Sequence, residues 1–211
     1  MVFLFVPNII GYGRIILLIY SCYYMRVSCA ASAVAYIISG LLDAVDGHAA
    51  RLLDQSTKFG AMLDMLVDRC ASMCLLACLI VFYTEWMFAF QLVMIVDIAS
   101  HWLHVHSSIA GGAQSHKTVD FSKTPLLRIY YQNRIVLFLM CLGNEMFYCS
   151  LYVYHFYPQP TYGISLWAAF ACLSAPVALG KFVINLLQLG AAALNMTNLD
   201  VMERQQKLHT Q

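Results

Sequence analysis

Four aspartates stand inside segments that are otherwise apolar. The stretch LLDAVDGHAARLLDQSTKFGAMLDMLVD, residues 41–68, sets Asp43 three residues before Asp46 and Asp64 four before Asp68. Both spacings put the pair on one face of an α-helix. A charged group within a membrane helix is costly, so it marks a pathway or a site. Four bare carboxylates this close repel one another and take up protons unless cations neutralise them. Hard oxygen donors suit a divalent ion such as Mg²⁺ or Mn²⁺. Two such ions side by side clamp a phosphoryl group during displacement. The neighbouring residues fit that chemistry. Gly47 and Ala50 lie near the Asp43/Asp46 face, and Gly60 precedes Asp64 by one turn. Small residues there let a flat ligand press on the backbone, or let two helices pack closely. Arg51 offers bidentate donors to phosphate; its other reading is a basic anchor at the lipid interface.

A second polar set lies farther along. Asp97, His101 and His104 share one face of an apolar segment. Acyl chains offer them no partner, so they should face the protein interior. One carboxylate and two imidazoles supply both donors and acceptors to a neutral polyol; they would equally make an Asp–His network tying helices together. Lys117, Arg128 and Arg134 gather in or beside a polar connection, where they would hold an anionic headgroup or serve only as orientation signals. Tyr130 and Tyr131 read as interfacial aromatics. Asn144 and Glu145 read as partners in helix–helix hydrogen bonding.

These residues need helices to hold them, and the composition says which kind. Of the 211 residues, 61% are hydrophobic and 11% charged, where a soluble domain carries roughly 25% charged residues. The excess apolar surface must face lipid. Six apolar runs reach the ~20 residues a spanning helix needs, at about 9–25, 29–50, 58–82, 86–106, 131–156 and 164–192. This is an all-α integral-membrane chain. The short connection near 51–57 makes the second and third helices antiparallel neighbours, so that the four carboxylates converge. Residues 107–129 form the one long polar connection, and PQPTYG at 158–163 reads as a turn. Basic residues favour the even-numbered connections and the C-terminal end, which places those and both termini in the cytoplasm. Without repeats, residues 1–192 read as one membrane domain and 193–211 as a cytoplasmic tail. The start MVFLFVPNII has no basic region ahead of its apolar run, so no cleaved signal is expected. A net charge of +1 gives no footprint for nucleic acid. Eight cysteines without a CxxC pair read as buried, reduced thiols, including the evenly spaced Cys70, Cys74 and Cys78.

The pattern Asp43-x2-Asp46-Gly47-x2-Ala50-Arg51-x8-Gly60-x3-Asp64-x3-Asp68 resembles the signature of the CDP-alcohol phosphatidyltransferase family. The stretches LFVPNIIGYGR, DIASHWLHVHSS, LLRIYYQNR and GNEMFYC extend the likeness to the family's inositol-accepting eukaryotic branch. The resemblance implies six membrane helices, a homodimer, and an active site open to the cytoplasmic face of the endoplasmic reticulum. It implies transfer of a phosphatidyl group from CDP-diacylglycerol to myo-inositol. Asp43, Asp46, Asp64 and Asp68 would organise two Mg²⁺ or Mn²⁺ ions, with Asp68 the base. Gly47, Ala50, Arg51, Gly60, Asn8 and Arg14 would contact CDP-diacylglycerol. The chain departs from the pattern at Gly11, where many members have Thr. Another acceptor, glycerol 3-phosphate or serine, would use the same chemistry. A cation- or proton-coupled transporter would also place Asp and His in membrane helices, but repeated halves with interrupted helices are its more usual mark.

Overall fold

In lipid every backbone polar group must be satisfied within the chain, so long apolar runs become helices. The structure, a computed structural model, describes residues 1–110, 125–159 and 165–209. A 3₁₀ turn at Val2–Leu4 leads into α1 (Val6–Tyr24), followed by α2 (Cys29–Leu52) and α3 (Lys58–Phe82). A second 3₁₀ turn, Thr84–Trp86, precedes α4 (Met87–Ala110), then α5 (Pro125–Gln132), α6 (Arg134–Phe156) and α7 (Leu166–His209). No strand occurs among the described residues. Among the described residues, six helices are long and apolar enough to cross a membrane, as the hydropathy pattern requires.

The helices start and stop on recognisable signals. Pro7 stands in the first turn of α1, where its missing N–H is no loss. Ser28 caps α2 and Thr57 caps α3 through side-chain oxygens. The link between α2 and α3 is tight. Asp54 takes φ 53°, a left-handed conformation that Asp tolerates. The Gln55 N–H then donates to the Ala50 carbonyl at 2.9 Å, closing the helix end as a Schellman motif does. The Gln55 side-chain oxygen accepts from the Val6 N–H at 2.9 Å, which ties the start of α1 to this link.

The largest differences from the sequence expectation lie in the second half of the chain. The fifth membrane helix starts at Arg134 rather than 131, because Asn133 Oδ1 accepts from the N–H groups of Ile135 and Val136. A separate amphipathic helix, α5, precedes it, spanning the end of the expected polar connection and the expected start of the fifth membrane helix. The last helix runs on past 192 to His209, since after Gly190 the sequence has no Gly or Pro and consists largely of good helix formers. Most of the expected turn at 158–163 and much of the expected 107–129 connection lie outside the described residues.

The chain packs as two compact units. The first contains residues 1–91 and 148–171. Here α1 buries Asn8, Gly11, Arg14, Leu18 and Ser21, a polar face turned inward and an apolar one turned out, as lipid demands. It meets the small residues Ser32, Ala35 and Ser39 of α2, which let backbones approach. Ser21 Oγ donates to the Ser32 carbonyl at 3.0 Å, and Ser39 Oγ to the Arg14 carbonyl at 3.3 Å. The end of α6 is tied in by Tyr152, whose hydroxyl donates to the Met25 carbonyl at 2.9 Å. The second unit contains residues 92–147 and 172–211. Its apolar centre is Leu127, Tyr130 and Ile184. In it α6 and α7 pack so closely that a Cβ on Gly143 would meet Val177 Cγ1 at 2.5 Å. All eight cysteines are free, as expected, but only Cys29 and Cys78 are buried; Cys70 and Cys172 are exposed on outward helix faces.

Candidate active site

The sequence pattern makes α2 and α3 direct neighbours, but both pack chiefly on α1, and it is a residue of α1 that their acidic faces share. Asp46 and Asp64 lie nearer the link, and Asp43 and Asp68 lie deeper along the helices. All four converge on one cation, the guanidinium of Arg14 from α1. Its Nη1 holds the nearer pair, at 2.9 Å from Asp46 Oδ2 and 2.7 Å from Asp64 Oδ1. Its Nη2 holds the deeper pair, at 2.7 Å from Asp43 Oδ1 and 2.5 Å from Asp68 Oδ1. Each nitrogen therefore bridges one carboxylate of α2 to one of α3. Arg14 is 2% exposed, whereas the side chains of Asp43, Asp64 and Asp68 are 42%, 47% and 39% exposed. The cation is at the floor and the carboxylates open outward.

One oxygen from each of Asp43, Asp64 and Asp68 lies within 4.8 Å of the others. Three hard donors so close, with Asp46 beside them, fit a divalent ion. The donor set holds no His or Cys to favour a softer metal.

A cleft of about 160 Å³ adjoins the carboxylates. Asn8, Gly47, Ala50, Arg51 and Gly60 all line it, together with Asp46 and Asp64. Every residue the resemblance placed at CDP-diacylglycerol, Arg14 apart, thus lines this cleft, from α1, α2 and α3. Gly60 is a close-approach position, because a Cβ there would stand 3.0 Å from Asn8 Oδ1 and 3.2 Å from Thr57 Oγ1. The Asn8 amide is almost fully buried; its Nδ2 donates to the Val2 carbonyl at 2.7 Å, and its Oδ1 has no partner. At the departure, Gly11, an added Cβ would stand 2.9 Å from Leu63 Cδ2, the end of a flexible side chain.

The second polar set sits in the second unit. Asp97 is buried, and its Oδ1 accepts from Asn185 Nδ2 at 2.9 Å. The Asn185 oxygen in turn accepts from Lys181 Nζ at 2.9 Å, and Lys181 lies 4.9 Å above the Tyr130 ring. His101 Nδ1 stands 2.8 Å from the Asp97 carbonyl and 3.5 Å from its Oδ1. His104 instead stacks on Tyr131, with ring centroids 5.9 Å apart. Tyr130 is not an interfacial residue: it is 4% exposed, because α5 turns Leu127 and Tyr130 inward. Arg128 and Arg134 are exposed, and Lys117 lies outside the described residues. Asn144 and Glu145 are half-buried.

Sequence reasoning missed Lys181, Asn185 and Gln188, all buried on α7. Their signal was present, since KFVINLLQ carries three polar residues at i, i+4 and i+7, one face of a helix.

The comparisons with known proteins bear on the same residues. A family profile described as CDP-alcohol phosphatidyltransferase matches residues 4–174. The chain is 51% identical over 207 residues to the CDP-diacylglycerol–inositol 3-phosphatidyltransferase of Rattus norvegicus, covering 98% of this chain and 97% of that one. It is likewise 51% identical to that of Homo sapiens, with the same coverage. To the Saccharomyces cerevisiae protein of that name it is 38% identical, over 98% of this chain and 92% of the relative. No solved structure matches the chain. With the profile spanning α1 to α3 and beyond, this chain belongs to the CDP-alcohol phosphatidyltransferase family.

Proposed function

We propose that this protein transfers the phosphatidyl group of CDP-diacylglycerol to myo-inositol, giving phosphatidylinositol and CMP. The observation that carries the chemistry is the convergence of four carboxylates beside a cleft lined by Asn8, Gly47, Arg51 and Gly60. The inositol acceptor rests on relatives that carry that activity in their names over nearly the full length.

Asp43, Asp46, Asp64 and Asp68 would hold two divalent ions, Mg²⁺ or Mn²⁺. Bound there, such ions neutralise a diphosphate and offset the charge that builds on the departing CMP. Arg51, at the mouth of the cleft, pairs with a phosphate oxygen. Gly47 and Gly60 leave the backbone bare for the nucleotide, and the unpartnered Asn8 Oδ1 accepts a ligand donor. The Asp68 carboxylate takes the proton from an inositol hydroxyl. That oxygen attacks the phosphorus bearing diacylglycerol, and the bond from that phosphorus to the CMP oxygen breaks. An alcohol is a weak nucleophile near neutral pH, so the base is required. The acceptor is held by Asp97, His101 and His104, with Lys117, Arg128 and Arg134 as further contacts.

Residues 1–192 then act as one membrane catalytic domain and 193–211 as its cytoplasmic end. The protein works as a homodimer in the endoplasmic reticulum membrane, with the acyl chains of its substrate in lipid. The test is CMP release by the purified protein from CDP-diacylglycerol, with inositol, glycerol 3-phosphate or serine supplied in turn. Inositol alone should support turnover; equal rates with serine would reassign the acceptor.

A further inference from the structure

Arg14 is over-committed for a structural arginine. Two nitrogens serve four carboxylates, each bridging α2 to α3. Its Nε–H, buried with the rest of the side chain, has no acceptor among the described residues. Buried polar groups left unsatisfied call for a reason. The guanidinium gives one positive charge where four aspartates gather, so it reduces their repulsion without cancelling it. Its hydrogen bonds fall on oxygens of the same carboxylates that offer donors to a divalent ion. An ion drawn to within about 2.0–2.1 Å of such oxygens, as Mg²⁺ requires, would stand against the guanidinium, and like charges that close repel strongly. The α1 backbone at this residue is meanwhile held by the Ser39 bond to the Arg14 carbonyl.

We propose that Arg14 is a stand-in cation for the carboxylate tetrad. It holds Asp43, Asp46, Asp64 and Asp68 together until divalent ions arrive, and the ions compete with it for the same carboxylates. This rests on the metal-binding reading above. Competition is reciprocal by linkage: whatever removes Arg14 from the tetrad tightens ion binding, and ions stabilise the protein most when Arg14 is gone.

Mn²⁺ binding to the purified full-length protein, read from the spectrum of free Mn²⁺, provides the test, with melting curves in chelator and in saturating Mg²⁺. Arg14→Gln should bind Mn²⁺ at least tenfold more tightly than the unchanged protein. Its melting temperature should fall by several degrees in chelator and recover in Mg²⁺. Arg14→Lys, a single ammonium that cannot bridge four carboxylates, should bind with intermediate affinity, and it serves if the Gln variant does not fold. Affinity that is unchanged or weaker in the variant overturns the proposal. So does an equal loss of melting temperature with and without Mg²⁺, the signature of a purely structural arginine. Absence of saturable Mn²⁺ binding in the unchanged protein and the variants alike would remove the metal reading itself, and this proposal with it.

Discussion

The two units each bury a cluster of charge in a membrane-length bundle, and they do it in opposite ways. In the first, four carboxylates share one guanidinium, and three of them are two-fifths or more exposed or nearly so. In the second, one carboxylate, Asp97, reaches one ammonium, Lys181, through the amide of Asn185, and all three are buried. The first cluster is acidic and open; in the second, among the described residues, a carboxylate and an ammonium are joined through one amide and buried. An unbalanced acidic cluster is unstable until cations reach it, which is what a metal-dependent site needs. A balanced, hydrogen-bonded chain resists charged ligands and leaves room only for groups that exchange hydrogen bonds. The proposed function follows that difference: it assigns charge-driven chemistry to the first cluster and recognition of a neutral acceptor to the second.

The comparison breaks most easily at the carboxylates. Replacing Asp43, Asp46 or Asp64 by Asn should abolish turnover and flatten the Mg²⁺ or Mn²⁺ titration, while the purified variants keep a cooperative melting transition. Wild-type activity with an unaltered ion titration in two of them would show that the open cluster is not a metal site. The next largest effect concerns Asp68. Its Asn variant should still bind CDP-diacylglycerol, measured directly, but lose on the order of 10²–10⁴-fold in kcat, the range general-base catalysis supplies. A loss of less than about tenfold would place the base elsewhere.

How much of this was legible in the chain depends on what fixed each residue. The four aspartates were readable because i,i+3 and i,i+4 spacings bind each pair to one face, and a five-residue link keeps the two faces at the same end of their helices; that both helices pack on α1 was not readable. Arg14 was placed at the nucleotide by resemblance; that it reaches all four carboxylates depends on how α1 lies on α2 and α3, which no local pattern encodes. Lys181, Asn185 and Gln188 were readable and unread, since their helix passes as one apolar run when only its hydropathy is considered. Tyr130 was misread for a physical reason. An eight-residue helix within a polar connection has too few turns to show a period, so Tyr130 beside Arg128 looked interfacial when it is core.

The second cluster is tested at Asp97. Asp97→Asn should raise the KM for inositol by about ten- to a hundredfold, one to two hydrogen bonds of the charge-assisted kind. The KM for CDP-diacylglycerol should stay put. His101→Ala should follow in the same direction with a smaller effect, since its Nδ1 is turned toward its own helix. A closed, purely structural chain predicts otherwise: a lowered melting temperature with both KM values normal. Lys181→Met separates the cases further. Removing one partner of a buried pair costs about 3–5 kcal/mol, and removing both costs far less. The double variant Asp97→Asn with Lys181→Met should therefore melt higher than Lys181→Met alone.

The smallest expected effects come from two glycines, one in each unit, and they sharpen the contrast between cleft and packing. At Gly60 an added methyl would press on Asn8 Oδ1 and on Thr57 Oγ1, the oxygen that caps α3. Alanine gains about 0.5–1 kcal/mol over glycine within a helix, while a disturbed cap loses about 0.5–2 kcal/mol, so the melting temperature of Gly60→Ala should barely move. Its effect should appear instead as a few-fold rise in the KM for CDP-diacylglycerol, because the displaced Asn8 is part of the cleft wall. At Gly143 the added methyl would land 2.5 Å from Val177 Cγ1 and 3.0 Å from its Cβ. A β-branched side chain on a helix has one favoured rotamer and cannot swing aside, so overpacking should cost about 1–3 kcal/mol. Gly143→Ala should melt measurably lower with both KM values unchanged. Steady-state kinetics and melting curves on the two variants decide the matter: an unaltered CDP-diacylglycerol KM in Gly60→Ala would show that this wall of the cleft does not touch the nucleotide.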